Sequence, residues 1–383
     1  MIYLDNAATS FPKPAGVSDR MKAYLDQVGA PVNRSVYGPA QEAGLTVLRA
    51  RERLAGLLGF SGPPTQVLLT AGATAALNQA LFGFLRPGDH CLVSAMEHNA
   101  VMRPLQILAR RGISFDRLPC DKTGRLRLEA VERAIRPNTR LLALAHGSNV
   151  CGTVQDAAAV GAICKRHGVA FLLDAAQTAG HWPVDFDGFG LSALAVPGHK
   201  GLLGPSGVGA LLVTAEFAAA MEPILAGGTG SASDSEELPP YLPDRFESGT
   251  LNLPGIYGLE QALAWIEEIG PETLRAREEA LTERFLSGLR EIKNVRLLGR
   301  PDVKDRVGVF SLDFPEADNG EVSARLEGEF GILTRCGLHC APSAHRTLGT
   351  FPRGTVRLSL GPFNTDADIH AALRAVRAVC GAG

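Results

Sequence analysis

Two short runs of the sequence place a carboxylate and a lysine where they could act together. Asp174 ends the apolar run Leu172-Leu173, and Lys200 follows 26 residues later inside Pro197-Gly198-His199-Lys200-Gly201. A buried carboxylate can keep a pyridine nitrogen protonated, and a lysine amine can form a Schiff base with an aldehyde. Either run alone is more typical of a solvated aspartate at a strand end or of a lysine in a surface turn. Both runs in this order predict a site for pyridoxal 5'-phosphate (PLP).

Three further loops carry polar groups that such a site needs. The run 70–74 lies between a predicted strand and a predicted helix, so its backbone N–H groups and the Thr74 hydroxyl could cradle a phosphate. His98 is the ring in its loop that could stack on a cofactor. Asn149 offers an amide for a ring oxygen. A plain turn or a satisfied polar side chain is the alternative explanation for each loop.

The elements that must position these loops follow an alternating pattern. Buried strands, apolar on both faces, are predicted at 67–70, 91–94, 141–145 and 169–173. Helices are predicted between them, for example at 75–81 and 156–167. This alternation predicts an α/β sheet with helices on both faces, in which ligands bind at the carboxyl ends of the strands.

The pattern changes near residue 255. Two long charged helices are predicted at 257–269 and 272–292, followed by short strands at 307–313 and 356–360 and a terminal helix from Asp366. The run 227–243 is rich in Gly, Ser, Pro and acidic residues and is predicted to be a long loop. We therefore expect a large PLP-binding domain of residues 15–254 and a smaller α+β domain of residues 1–14 and 255–383.

Composition restricts the class of partner. The 383 residues include 38 basic and 40 acidic side chains, a net charge of -2, which gives no electrostatic reason to expect nucleic acid or an anionic membrane as partner. A small-molecule substrate is expected. No secretory leader or membrane span is recognisable, which predicts a cytoplasmic protein. The seven cysteines form no disulfide framework, and Cys91, Cys151 and Cys164 fall in or beside predicted core elements.

Over nearly its whole length the chain resembles the class V aminotransferase-like PLP enzymes, and within them the cysteine desulfurases and selenocysteine lyases. The motifs that carry the resemblance occur in order along the chain, at 3–9, 97–98, 148–150, 174–177, 198–200, 246–250, 335–340 and 357–359. The resemblance implies the PLP-dependent transferase fold type I, which is aspartate aminotransferase-like. It also implies a homodimer.

The same resemblance implies roles around the cofactor. Lys200 carries the Schiff base, Asp174 pairs with the pyridine nitrogen and Gln177 bonds the phenolic oxygen. His98 stacks on the ring and moves protons, while Asn149 lies beside the ring hydroxyl. The phosphate is held by Ala73, Thr74, His199 and, from the partner subunit of the dimer, Thr250. Relatives often carry Ser or Thr where this chain has Pro197, so one hydroxyl contact to the phosphate is missing.

Cys340 matches the position whose thiolate takes the substrate sulfur as a persulfide while alanine departs. Such a thiolate needs an electropositive neighbour, and Arg335 and His339 lie within a few residues. A structural thiol is one alternative. A metal site of Cys336, His339 and Cys340 is another, although no fourth ligand occurs at zinc spacing. The resemblance also implies that Arg357 binds the substrate carboxylate, in a pocket lined by Asn6, Ala8, Arg34 and Arg335.

The expected reaction is removal of sulfur or selenium from L-cysteine or L-selenocysteine, giving L-alanine, with Lys200, Cys340 and His98 as catalytic residues. An aminotransferase or another lyase of the same fold would not need Cys340, and a non-enzymatic sulfur carrier would need only the thiol. The spacing of 17 positions from Cys340 to Arg357 predicts a short catalytic loop. An acceptor protein for sulfur or selenium is therefore an expected partner. The role of Cys336 stays open.

Overall fold

The computed structural model describes residues 1–32, 35–232 and 234–381. Its strands are, in chain order, β1 (Ile2–Tyr3), β2 (Val67–Thr70), β3 (His90–Ser94), β4 (Ser114–Leu118), β5 (Thr139–Ala145), β6 (Ala170–Asp174), β7 (Ala193–Pro197), β8 (Gly209–Val213), β9 (Arg296–Leu297), β10 (Val309–Asp313), β11 (Ile332–Leu333), β12 (Arg335–Gly337) and β13 (Thr355–Ser359). Its helices are α1 (Val17–Ala23), α2 (Gly38–Leu57), α3 (Ala73–Phe84), α4 (Asn99–Ala109), α5 (Leu128–Ala134), α6 (Ala157–His167), α7 (Ala215–Ala220), α8 (Leu253–Ile269), α9 (Pro271–Leu289), α10 (Asn319–Phe330), α11 (Pro342–Leu348) and α12 (Asp366–Gly381).

A seven-stranded sheet with the order β2-β8-β7-β6-β5-β3-β4 forms the larger part of the fold. Strand β8 is antiparallel to both of its neighbours, and the other neighbouring pairs are parallel. The four predicted strands are confirmed as β2, β3, β5 and β6. Their unbroken apolar sequences fit strands that are covered on both faces.

Helices cover both faces of this sheet, and successive residues of one strand pack in the cores on its opposite faces. In β3, Leu92 packs in the core that α2, α6 and α8 complete, while Cys91 and Val93 pack in the core of α3, α4 and α7. This alternation is the period of two that an extended strand imposes on its side chains. The predicted doubly covered α/β sheet is confirmed.

A smaller antiparallel sheet, with the order β12-β13-β10-β9, packs against α9, α10 and α12. Strand β1 pairs in parallel with β11, and Leu4 enters the small core, so the N-terminus joins this part. Helix α8 packs with the large sheet through Ile256, Leu259 and Leu263. The division of the chain at residue 255 stays a prediction, and in the structure α8 shares a core with elements before it.

Cys91, Cys151 and Cys164 are buried, as predicted, and all seven cysteines are free. Burial raises the pKa of the Cys164 thiol to about 12, so this cysteine stays protonated. Among the described residues, the helices are too short or too polar to cross a membrane.

Gly161→Ala is expected to lower the free energy of unfolding by about 3 kcal/mol, because a Cβ at this position of α6 would overlap the carbonyl oxygen of Phe189. Gly328→Ala in α10 is the matched control, since a Cβ there meets nothing within 4 Å. It should raise the stability by about 0.5–1 kcal/mol through helix propensity. Urea unfolding of both variants measures the difference. Equal midpoints would show that Gly161 is not required by packing.

Candidate active site

The carboxyl ends of five strands of the large sheet, β2, β3, β5, β6 and β7, open into one cavity of about 500 Å³. Because parallel strands end at the same edge of a sheet, loops that are far apart in the sequence meet there. The cavity brings together eight of the nine predicted cofactor-binding residues: Ala73, Thr74, His98, Asn149, Asp174, Gln177, His199 and Lys200.

Asp174 is buried in this cavity and Lys200 is half-buried, and each affects the charge of the other. Burial raises the pKa of the Asp174 carboxyl, while the Ala176 N–H, 2.9 Å from its Oδ1, and the Lys200 cation oppose the shift. Burial lowers the pKa of Lys200 to about 8, although Asp174 opposes the loss of the proton. About one tenth of the lysine is then in the free amine form at pH 7, which is the nucleophilic form and is far rarer for an unshifted lysine.

The N-terminus of α3 also lines the cavity. Gly72 precedes the helix and provides no side-chain cap, so the N–H groups of the first turn, at Ala73 and Thr74, remain available for an anion. His199 Nδ1 is buried without a hydrogen-bond partner among the described residues. Burial, together with the cations of Lys200 and Lys13, lowers the pKa of His199 to about 4, so the ring is a neutral donor or acceptor.

His98 lines the same cavity as the N-cap of α4. Its Nδ1 accepts the Ala100 N–H at 3.0 Å, which leaves the proton of the neutral ring on Nε2. Burial, together with the cations of Lys200 and Arg335, lowers the pKa of His98 to about 4. His98 therefore enters any reaction as a neutral imidazole.

The two amide side chains of the cavity already donate hydrogen bonds within the protein. Gln177 Nε2 donates to the carbonyl of Ala7 at 3.0 Å, and Asn149 Nδ2 donates to the carbonyl of His339 at 2.6 Å. These bonds fix the orientation of both amides. The Asn149 bond also ties the end of β5 to the Cys340 loop.

Arg335 and Arg357 face each other directly across β12 and β13. Opposed like charges destabilise a sheet, so this pair indicates a site for an anion. Arg357 is 1% exposed; it contacts Asp5 Oδ1 at 2.6 Å and the Asn149 carbonyl at 3.0 Å, and its Nε has no partner among the described residues. The pair can receive a carboxylate, as predicted for the substrate.

Cys340 is exposed in the short connection between β12 and α11. The guanidinium Nη2 of Arg335 lies 3.6 Å from its Sγ, so Arg335 is the electropositive neighbour that a reactive thiolate needs. The Cys340 carbonyl accepts the Asn99 N–H at 2.8 Å, which places the loop beside His98.

The structure corrects one expectation about His339 and rules out one alternative. Burial, together with the charges of Arg357, His345 and Arg335, lowers its pKa to about 2, so His339 is neutral and supplies no positive charge to Cys340. The alternative of a metal site at Cys336, His339 and Cys340 is also wrong. The described residues contain no cluster of three His, Cys, Asp or Glu side chains that could hold a metal ion. His339 Nε2 bonds Thr355 instead, at 3.0 Å.

The remaining predicted residues lie at different places. Asn6 is buried and bonds the Ser359 carbonyl at 3.2 Å; it lines a second cavity, of about 40 Å³, that also reaches Lys200. Ala8 N–H bonds the Asp5 carbonyl within the N-terminal turn. Thr250 is exposed outside the 500 Å³ cavity. Arg34 lies outside the described residues.

Sequence reasoning missed three side chains of this region. Lys13 Nζ donates to the His199 carbonyl at 3.1 Å, and Asp5 binds Arg357. Glu97 is buried, accepts the Ala145 N–H at 2.9 Å, and has its pKa raised to about 8 by burial. Asp5 and Glu97 belong to the recognised motifs at 3–9 and 97–98, which was the available signal. Lys13 had none, because its partner is 186 residues away in the sequence.

The residues present fit PLP. An unpartnered His199 nitrogen and a helix N-terminus are available for the phosphate, and a buried carboxylate and a low-pKa lysine line the same cavity. Pro197 lines the cavity and offers no hydroxyl. This donor set matches an anion linked to a pyridine ring with an aldehyde.

Comparison with known proteins gives the family. The profile of Aminotransferase class-V matches residues 2–372. A probable cysteine desulfurase of Methanothermobacter thermautotrophicus is 32% identical, over 100% of this chain and 95% of that protein. One of Pseudomonas aeruginosa is 36% identical, over 96% and 90%. The solved apo structure of cysteine desulfurase from Thermococcus onnurineus NA1 has a TM-score of 0.92 at 32% identity, covering 99% of this chain and 94% of that one.

These matches extend over the large sheet, the small sheet and every loop of the cavity, so they concern the whole fold and not one motif. The expected fold type I architecture and the expected cofactor are thereby confirmed. The chain belongs to the class V aminotransferase family of PLP-dependent enzymes.

Proposed function

We propose that this chain removes sulfur from L-cysteine, giving L-alanine and a persulfide on Cys340. The observation that carries the proposal is the exposed Cys340 thiol, 3.6 Å from the Arg335 guanidinium and bonded through its own carbonyl to Asn99, beside the Lys200 cavity. An aminotransferase of the same fold has no use for a thiol there. The relatives named as cysteine desulfurases support this reading.

Each residue around the cavity would have its own role in the reaction. When bound, PLP supplies an aldehyde and a protonated ring that accepts the electron pair left at the substrate α-carbon. Asp174 would hold the proton on the ring nitrogen, and Lys200 would remove the α-proton as a free amine. Arg335 and Arg357 would orient the substrate carboxylate by charge-assisted hydrogen bonds. His98 offers a proton at Nε2.

Sulfur transfer would then occur at Cys340. Its thiolate attacks the substrate sulfur, an S–S bond forms, the carbon–sulfur bond breaks, and the carbon takes that electron pair and a proton to become the methyl group of alanine. The connection between Gly337 and Pro342 that carries Cys340 is short. An acceptor protein would therefore have to bring its own thiol to Cys340 to take the outer sulfur.

Two further parts of the proposal concern substrate range and location. L-selenocysteine would be a second substrate, because its weaker carbon–selenium bond and ionised selenol reduce the need for Cys340. We also propose a cytoplasmic location. The seven free cysteines and the persulfide chemistry suit a reducing compartment.

Lys200 is expected to control cofactor loading as a free amine. The rate at which the apoprotein reacts with PLP should rise about tenfold per pH unit below pH 8 and level off above it, because only the deprotonated amine attacks the aldehyde and the Lys200 pKa is lowered to about 8. Stopped-flow absorbance of the yellow Schiff base measures this rate. Lys200→Ala should show no yellow species and no alanine formation. Wild-type turnover in that variant would refute the site.

Cys340→Ala is expected to lose nearly all alanine formation from L-cysteine, because no nucleophile remains to take the sulfur. Exchange of the substrate α-proton should persist, since it depends on Lys200. Cys336→Ala, which removes the half-buried thiol of the adjoining strand, is the matched control and should keep the parent rate. Proton exchange by NMR and alanine assays measure both steps. Desulfuration by Cys340→Ala at the parent rate would exclude the persulfide mechanism.

We also propose a homodimer in which Thr250 reaches the phosphate of the partner's site. Thr250 lines a separate cavity of about 320 Å³ at the edge of the large sheet, and the apolar side chains of Leu45 and Leu48 are exposed on α2. Sedimentation should give twice the chain mass of 40.5 kDa. Thr250→Ala should weaken PLP binding about tenfold. A fully active monomer would contradict this arrangement.

A further inference from the structure

The backbone at the reactive thiol is in a conformation that its residues do not favour. His339 and Cys340 are adjacent, neither is glycine, and both have positive φ, +48° and +57°. L-residues rarely occupy this region, and such conformations persist only where surrounding contacts hold them. Because the Cys340 side chain is exposed, the holding contacts must come from elsewhere in the loop.

One set of contacts holds the main chain from the large sheet. The His339 carbonyl accepts Asn149 Nδ2 at 2.6 Å, and the Cys340 carbonyl accepts the Asn99 N–H at 2.8 Å. Both donors follow strands of the large sheet that line the Lys200 cavity. These bonds fix where the loop lies relative to the cavity.

A second set holds the imidazole of His339 from the small sheet. Ser311 Oγ lies 2.6 Å from the Val150 carbonyl, Thr355 Oγ1 lies 2.9 Å from Ser311 Oγ, and His339 Nε2 lies 3.0 Å from Thr355 Oγ1. His339, Ser311 and Thr355 are all buried. The ring therefore ends a chain of hydrogen bonds that begins at a backbone carbonyl.

The direction of this chain follows from its first member. A carbonyl oxygen only accepts, so Ser311 donates to Val150, Thr355 donates to Ser311, and the Thr355 oxygen must accept from His339. The hydrogen-bond network thus assigns the His339 proton to Nε2. This tautomer makes the buried, neutral ring a hydrogen-bond donor at Nε2, and its Nδ1 has no partner among the described residues.

We propose that His339 is a positioning residue, whose Nε2–H to Thr355 holds the strained loop so that Cys340 stays against Arg335 at the substrate sulfur. This inference rests on the proposed persulfide function, and it assigns to Ser311 and Thr355 a part in the reaction through His339 and Cys340. Removing the acceptor frees the ring, and the loop then relaxes toward ordinary backbone angles. The thiol moves away from its position while the Lys200 cavity is unchanged.

The test uses the PLP-bound full-length protein and three variants. Thr355→Val removes the acceptor with little change of shape, His339→Leu removes the donor, and His339→Gln restores a donor at the position of Nε2. Thr350→Val is the matched control, because Thr350 makes the same kind of buried bond, 2.8 Å, to His345 Nδ1 and does not hold the Cys340 main chain.

With L-cysteine, Thr355→Val and His339→Leu should lower kcat by about 10- to 100-fold and change KM by less than about twofold, because misplacing the nucleophile affects the step it performs and not substrate binding. With L-3-chloroalanine both should keep the parent kcat, since chloride leaves without a thiol. His339→Gln should recover most of the cysteine activity, and Thr350→Val should match the parent on both substrates.

Amide hydrogen exchange gives a readout that does not depend on turnover. Residues 338–341 should exchange about tenfold faster in Thr355→Val than in the parent or in Thr350→Val. Equal exchange together with parent kcat on L-cysteine would overturn the positioning role, as would equal losses on L-cysteine and L-3-chloroalanine. Failure of the persulfide function has a different signature, an active Cys340→Ala variant, and it leaves the exchange result intact.

Discussion

Asp174 and Lys200 line one cavity, and the rest of the site depends on the balance between their burial and their mutual attraction. Burial disfavours the charged form of each side chain, while each charge favours the other. The pKa of the lysine is lowered to about 8, which increases the fraction of reactive free amine. The carboxylate lies where it can keep a ring nitrogen protonated. Strands β6 and β7 are neighbours in the sheet, so the two loops cannot separate without breaking the core.

The second constraint is the placement of the small sheet against this cavity. Strands β12 and β13 set Arg335 opposite Arg357, and the turn after β12 sets Cys340 against Arg335. Asp5 and the Asn149 carbonyl offset the charge of Arg357. One side of the cavity thus offers cofactor chemistry and the other an anion site beside a thiol. A desulfurase needs all three features, whereas an aminotransferase needs the cofactor chemistry and the anion site but not the thiol.

The N-terminal segment joins these two parts. Leu4 packs in the small core, while Ser10 N–H and Lys13 Nζ donate to the His199 carbonyl, next to Lys200, at 2.9 and 3.1 Å. Asp5 binds Arg357 from the same segment. The N-terminal segment therefore connects the small sheet and Arg357 with the loop that carries Lys200.

The sequence by itself determined the strand and loop order, because apolar periodicity is a local property. It also identified Asp174, Lys200 and Cys340, because PLP and persulfide chemistry require these residue types. The roles assigned to individual site residues remain predictions. Only the tertiary structure decided the state of His339, which adjoins a thiol in the sequence and looked like a cation or a ligand. Its burial, its bond to Thr355 and its contact with Asn149, 190 residues away, depend on packing that no local pattern records.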